Sequence, residues 1–150
     1  MAFDYSVDFK NIDFRENPEL YRVGIGEQGV LLVEPYKSEI LKFWRFKTPE
    51  IAQKSSDEIY DLFLEYKEIK DFVGMDMARK FIQMGFTRSR RYANHKSGRK
   101  WSDDRKEVLP YQVDEVKAQS AKIFYDKWQL VKNNPEYLEM KEEHIRKYGK

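Results

Sequence analysis

The sequence predicts a single α+β domain over residues 1–150 that is mostly helical and carries one small N-terminal β-hairpin. Two observations predict this fold: apolar residues recur at helical spacing over most of the chain after residue 48, and two short apolar runs flank a glycine-rich stretch closer to the N-terminus. A chain of 150 residues fits one domain. Its 41% hydrophobic and 15% aromatic residues can supply a packed core, so we expect a folded chain and not a disordered one.

The hairpin is predicted over residues 20–33. Residues 20–23 are apolar except for Arg22, residues 30–33 are all apolar, and the stretch between them spells G-x-G-x-x-G. A dinucleotide-binding loop with this spacing needs a helix after its last glycine, whereas the residues that follow here favour a strand that ends at Pro35. We therefore interpret the glycines as a turn that needs positive φ and not as a phosphate-binding loop.

Helices are predicted for most of the remaining chain. Thr48-Pro49-Glu50 combines a hydroxyl N-cap, a proline at the first helical position and an acid in the first turn. Gly85 is interpreted as the C-terminal glycine of the next helix. Residues 36–47 are either a short helix or a connector that fills the core, and residues 95–111 are expected to form a loop. The predicted helices cover about residues 49–68, 71–84, 88–94, 114–132 and 135–148.

Charge is unevenly distributed along the chain. The 28 Lys and Arg residues nearly balance the 26 Asp and Glu residues. Residues 79–106, however, hold ten basic residues against Asp103 and Asp104, a net charge of +8, while the other 122 residues carry 18 basic and 24 acidic side chains. A locally basic segment on an acidic body is typical of a polyanion site. The alternative is a solvated basic loop without a ligand.

The stretch from Thr87 to Trp101 combines cations with aromatic rings. Arginine forks bind phosphate oxygens in pairs, aromatic rings stack on unpaired bases, and an asparagine can bind an adenine edge. We therefore predict a non-enzymatic nucleic-acid-binding protein, for DNA or RNA. Alternatively, the rings pack in the core while the arginines pair with acidic helices. The candidate nucleic-acid-binding residues are Arg88, Arg90, Arg91, Tyr92, Asn94, His95, Lys96, Arg99, Lys100 and Trp101.

Composition argues against several other classes of protein. The absence of cysteine excludes disulfides, thiol nucleophiles and thiolate metal sites, and two histidines are too few for a zinc site. We therefore predict no catalytic residue, no metal and no cofactor, and we expect an enzyme less than a binding protein. The longest aliphatic run, residues 30–33, is far too short to span a membrane. We expect no membrane association and a cytoplasmic location.

Three stretches of the sequence carry a resemblance to a known family. They are GIGEQGVLLVEPYKSEI, WRFKTPEIAQKSS and GMDMARKFIQMGFTRSRRYANHKSGRKW. Over nearly the whole chain, the sequence resembles the domain of unknown function DUF4385, which is found in bacteria, some eukaryotes and phages, including cyanophages. The resemblance implies a single self-contained domain, and it carries no activity, cofactor or site residue over to this chain. A phage source would make a role during infection plausible by analogy.

Two alternatives to nucleic-acid binding stay open. The same charge distribution would suit a protein-interaction module that docks its basic face on an acidic host or phage partner. A small metal- or nucleotide-dependent enzyme, built around the glycine turn, the acids and His95, is the less favoured alternative. The oligomeric state is not predicted.

Overall fold

A computed structural model describes residues 2–94 and 114–150, and within these ranges all regular secondary structure is helical. The predicted α+β class is therefore wrong for the described part of the chain. Two short 3₁₀ turns, Phe9–Asn11 and Pro18–Leu20, precede the α-helices. The α-helices are α1 (Tyr36–Leu41), α2 (Pro49–Glu68), α3 (Phe72–Asn94), α4 (Glu115–Lys132) and α5 (Pro135–Tyr148).

Residues 20–33 do not form the predicted β-hairpin. The positions of the glycines are as expected, because Gly24, Gly26 and Gly29 all have positive φ. Residues 25–32, however, form three successive turns, each closed by a backbone hydrogen bond of 3.0–3.3 Å between residues three apart. We call residues 24–32 the glycine loop.

The glycine loop obtains donors for its inward carbonyl groups from α3 and not from a second strand. A guanidinium nitrogen of Arg79 donates to the carbonyl oxygen of Gly26. Lys80 Nζ donates to the carbonyl oxygen of Gln28 at 2.6 Å. Because a buried carbonyl needs a donor, and side chains of α3 supply it here, the loop is stable without a β ladder.

Helix α3 packs against both α2 and α4 and is longer than predicted. It runs unbroken through Gly85, where the sequence predicts that one helix ends and another begins near residue 88. A Cβ atom at Gly85 would lie 2.4 Å from Cδ1 of Phe124 in α4. The glycine therefore lets α3 and α4 approach closely and does not end the helix.

The other predicted α-helices are confirmed, with N-caps close to where the sequence indicates. The side chains of Thr48, Asp114 and Asn134 each accept a hydrogen bond from a backbone N–H in the first turn of the helix that follows. Of residues 36–47, the first half forms α1 and the second half is a connector. Within the described ranges, no helix is both long and apolar enough to cross a membrane.

Candidate functional site

Of the five basic residues of the predicted segment that the structure describes, two lie inside the protein. Arg79 is 6% exposed, and Lys80 and Asp76 are 0% exposed. Arg79 lies 2.7 Å from Asp76 Oδ1, and Lys80 Nζ lies 4.0 Å from Asp76 Oδ2. The two cations follow Asp76 by three and four residues, so one turn of α3 brings all three side chains together. We call Asp76, Arg79 and Lys80 the buried charge cluster.

Two tyrosine hydroxyl groups complete the hydrogen bonding of the buried charge cluster. Tyr137 of α5 donates to Asp76 Oδ1 at 2.5 Å, and Tyr21 donates to Oδ2. Burial opposes ionisation of Asp76, but the charges of Arg79 and Lys80 and the two hydroxyl groups outweigh it and lower its pKa. Burial lowers the pKa of Lys80 to about 8, against the opposing effect of Asp76. Burial and the charge of Asp76 raise the pKa of both tyrosines.

The buried charge cluster joins α3 to α5, to the N-terminal segment and to the glycine loop. Its two cations are buried, share the single carboxylate of Asp76 and are hydrogen-bonded to carbonyl groups of the glycine loop. Arg79 and Lys80 are therefore not available to an outside anion, and the prediction of a basic segment that begins at Arg79 is corrected. Asp76 lies just before residues 79–106, so a count of the charges in that segment does not include it.

The last two turns of α3 carry the described part of the predicted interface. Arg88 and Arg90 are half-buried, and Arg91 is exposed. We call them the α3 arginines. Within residues 2–94 and 114–150, none of the three forms an ion pair with a carboxylate. Arg90 donates two hydrogen bonds to Asn94 Oδ1, at 3.0 and 2.7 Å. Because the amide oxygen carries no net charge, no residue that the structure describes compensates the charge of Arg90.

Two neighbours define the surroundings of the α3 arginines. Tyr92 is 37% exposed, and its ring centroid lies 5.9 Å from that of Phe46. Tyr92 is therefore neither a core residue nor a fully solvated one. On the glycine loop, Glu27 accepts a hydrogen bond from Thr87 Oγ1 at 3.0 Å, and it forms no ion pair with the α3 arginines.

The rest of the predicted interface lies outside the described residues, and its role stays a prediction. It consists of His95, Lys96, Arg99, Lys100 and Trp101.

The connector between α1 and α2 is a basic and aromatic surface that the sequence analysis missed. Lys42, Arg45 and Lys47 are exposed, and Phe43 and Phe46 are half-buried. None of these three cations forms an ion pair with a carboxylate in the described part of the chain. The run K-F-W-R-F-K shows the interleaving of charge and aromatic rings that is typical of nucleic-acid-binding surfaces. We call residues 42–47 the basic–aromatic segment.

The basic–aromatic segment is fixed against α3. Trp44 Nε1 donates to the carbonyl oxygen of Phe81 at 3.0 Å, and the ring of Phe46 contacts that of Tyr92. Arg88 follows Phe81 by seven residues and precedes Tyr92 by four. Helical periodicity therefore puts Arg88 on the same side of α3 as these two contacts. Arg88 thus borders the basic–aromatic segment.

Among the residues that the structure describes, no three His, Cys, Asp or Glu side chains are grouped so that they could hold a metal ion. The side chains that are grouped are cations and aromatic rings, which bind anions and bases.

Comparison with known proteins identifies the family. Neither the curated proteins nor the solved structures include a match to the chain. The model of one family, described as a domain of unknown function (DUF4385), matches residues 4–147. Since this match covers nearly the whole sequence, the resemblance noted from the three sequence stretches is confirmed, and the chain belongs to the DUF4385 family.

Proposed function

We propose that this protein binds nucleic acid, without enzymatic chemistry, through the C-terminal end of α3 and the predicted contacts that follow it. One observation carries the proposal: the three α3 arginines have no carboxylate partner among the described residues. Two other cations of the same helix, Arg79 and Lys80, share Asp76 as a buried partner. The fold thus gives the buried cations of α3 a carboxylate partner, whereas the described residues offer none to the α3 arginines.

A phosphate backbone suits these three side chains. Arg88 and Arg91 are three residues apart and therefore neighbours on the helix surface, where like charges destabilise a helix by about 0.2–0.5 kcal/mol. A bound polyanion removes this repulsion, and each guanidinium group can bind two phosphate oxygens. Sequence-independent contacts of this kind supply most non-specific affinity for nucleic acid.

A cytoplasmic location belongs to the same proposal. Nucleic acid is accessible there, and a chain without cysteine has no disulfide that would need an oxidising compartment.

Salt dependence tests the proposal directly. Fluorescence anisotropy with labelled DNA, at about 50 and about 200 mM salt, should give a slope of log affinity against log salt near −2.7 for three contacted phosphates on duplex DNA. If the predicted residues after residue 94 also contact phosphates, the slope of log affinity against log salt will be steeper. Salt-independent binding, or no binding at the lower salt concentration, contradicts the proposal. A partner protein that is retained after nuclease treatment would indicate protein contact instead.

A double variant assigns the contacts to α3. Arg88→Ala/Arg91→Ala should reduce the salt slope by about 1.8. Lys10→Ala/Arg146→Ala removes the same charge from exposed positions outside α3 and should change the slope little. If the α3 variant instead has a much lower melting temperature than the unmodified protein, the arginines serve the fold and not a ligand.

A further inference from the structure

A groove of about 460 Å³ lies between the basic–aromatic segment and the first turns of α2. Its lining includes four cations: Lys42, Arg45 and Lys47 of the segment, and Lys54 of α2. Among the described residues that line the groove, the one carboxylate is Glu58, which lies 3.9 Å from Lys54. The groove is therefore strongly positive, and its volume falls in the range of clefts that bind small ligands or single residues of a polymer.

Aromatic rings line the same groove. Phe43 and Phe46 are both half-buried, so one part of each ring packs against the protein and another part meets solvent. Lys42 Nζ lies 5.3 Å from the centre of the Phe43 ring. Alternation of cations and partly exposed rings provides a phosphate contact and a stacking surface at each step along the segment.

The groove continues into the surface formed by the α3 arginines. Phe46 lines the groove and contacts the ring of Tyr92. Tyr92 lies one helical turn beyond Arg88. A single extended ligand could therefore contact the groove and then α3.

We infer that the groove binds an unpaired stretch of nucleic acid, so that the protein binds single strands in preference to duplexes. The inference rests on the proposed function. In a duplex the bases already stack on one another and leave only their edges and the phosphates to a protein. In a single strand their faces are free to stack on Phe43, Phe46 and Tyr92. The four cations would bind the phosphates of either form, whereas the rings can stack only on the bases of the single strand.

An acidic peptide is the other polyanion that such a charge distribution attracts. Its carboxylates would form ion pairs with the lysine side chains and Arg45, but a glutamate peptide has no aromatic group that could stack on the rings. The aromatic lining therefore favours bases, and poly-glutamate becomes a comparison ligand in the test.

The affinity comparison uses the full chain and labelled oligomers of equal length at one salt concentration. The probes are oligothymidylate, oligouridylate, a blunt DNA duplex and poly-glutamate. We expect both single strands to bind more tightly than the duplex and than poly-glutamate. Lys42→Ala/Lys47→Ala should weaken single-strand binding more than duplex binding. The matched variant Lys10→Ala/Lys147→Ala, which removes two exposed lysines from other parts of the chain, should leave the ratio of the two affinities unchanged.

A conservative pair of variants isolates stacking from charge. Tyr92→Ala should weaken single-strand binding by about fivefold or more, the loss expected when one stacked base is released. Tyr92→Phe keeps the ring and should stay within about twofold of the unmodified protein. Melting temperatures of both variants are measured alongside, so that a loss caused by unfolding is recognised; in that case Phe43→Leu provides the second test of a lost ring.

The outcomes separate this inference from the proposed function. Duplex binding as tight as single-strand binding, unaffected by Lys42→Ala/Lys47→Ala, overturns the inference and leaves nucleic-acid binding by α3 in place. Poly-glutamate that binds as tightly as the single strands shows that the groove recognises charge alone and also overturns the inference. No binding of any oligonucleotide overturns both the inference and the proposed function.

Discussion

Replacement of Asp76 by Asn tests why Arg79 and Lys80 cannot serve a ligand. The substitution keeps the shape of the side chain and removes the one negative charge that the two buried cations share. It also replaces one of the carboxylate oxygens that accept the hydroxyl groups of Tyr21 and Tyr137 with an amide nitrogen, which cannot accept a hydrogen bond.

The expected loss of stability follows from the burial of the partners. Breaking a buried ion pair by removal of one member costs about 3–5 kcal/mol, because an uncompensated charge stays inside. Asp76 faces two cations, and neither Arg79 nor Lys80 can move to solvent without withdrawing its hydrogen bond from the glycine loop. For a chain of this length, such a loss lowers the melting temperature by about 6–20 °C.

Urea denaturation followed by far-UV circular dichroism measures this loss. Asp126→Asn is the matched control, because Asp126 pairs with Lys122 at 3.0 Å on the exposed surface of α4. An exposed pair contributes about 1 kcal/mol or less, so this variant should unfold close to the unmodified protein with the same denaturant slope. If Asp76→Asn costs no more than Asp126→Asn, the charge of Asp76 does not stabilise the buried charge cluster, and the reasoning is refuted.

Two further predictions concern packing and pH. Gly85→Ala should lower the free energy of unfolding by about 1–3 kcal/mol, because the new Cβ would lie 2.4 Å from the Phe124 ring. This overpacking exceeds the gain of about 1 kcal/mol in helix propensity. A variant that is more stable in urea denaturation would contradict the close approach of the two helices. Between about pH 8 and about pH 10 the unfolded chain keeps the Lys80 proton that the folded chain releases, so the free energy of unfolding should rise with pH. Above about pH 10 the folded chain retains the protons of its buried tyrosines while the unfolded chain loses them, so the free energy of unfolding should fall. Urea midpoints measured across this pH range should show a maximum in stability. Lys80→Met should abolish the rise in stability below that maximum. A rise that persists in Lys80→Met would assign the effect to another group.

The helix starts could be predicted because their signals are local. The cap of α2 lies in three consecutive residues, Thr48-Pro49-Glu50, and its hydrogen bond joins Thr48 Oγ1 to the N–H of Ile51 at 3.2 Å. Gly85 could not be assigned in this way. A glycine near the end of an apolar pattern suits a helix terminus and a close contact between helices equally well, and the partner that decides, Phe124, is 39 residues away.

The prediction of a β-hairpin over residues 20–33 was wrong for a similar reason. Alternative structures of residues 20–33 differ in where their carbonyl groups find donors, and the donors are side chains of α3 that lie 52 and 53 residues further along the chain. Local apolar runs and glycines are compatible with both outcomes. The count of charges was misleading at Arg79 and Lys80, the same two side chains. A formal charge in a sequence does not show whether the side chain is buried beside a carboxylate.

The division of charge along α3 links the fold to the proposed function. At its N-terminal half, Asp76 holds two cations and the tyrosines of two other segments, which fixes the helix in the core. At its C-terminal half, the contact of Gly85 with Phe124 and the hydrogen bond from Trp44 to Phe81 continue this anchoring up to the α3 arginines. The α3 arginines thus lie on a helix that is held on several sides. A ligand that binds there does not have to order the backbone that carries them, and little of the electrostatic attraction is lost to conformational entropy.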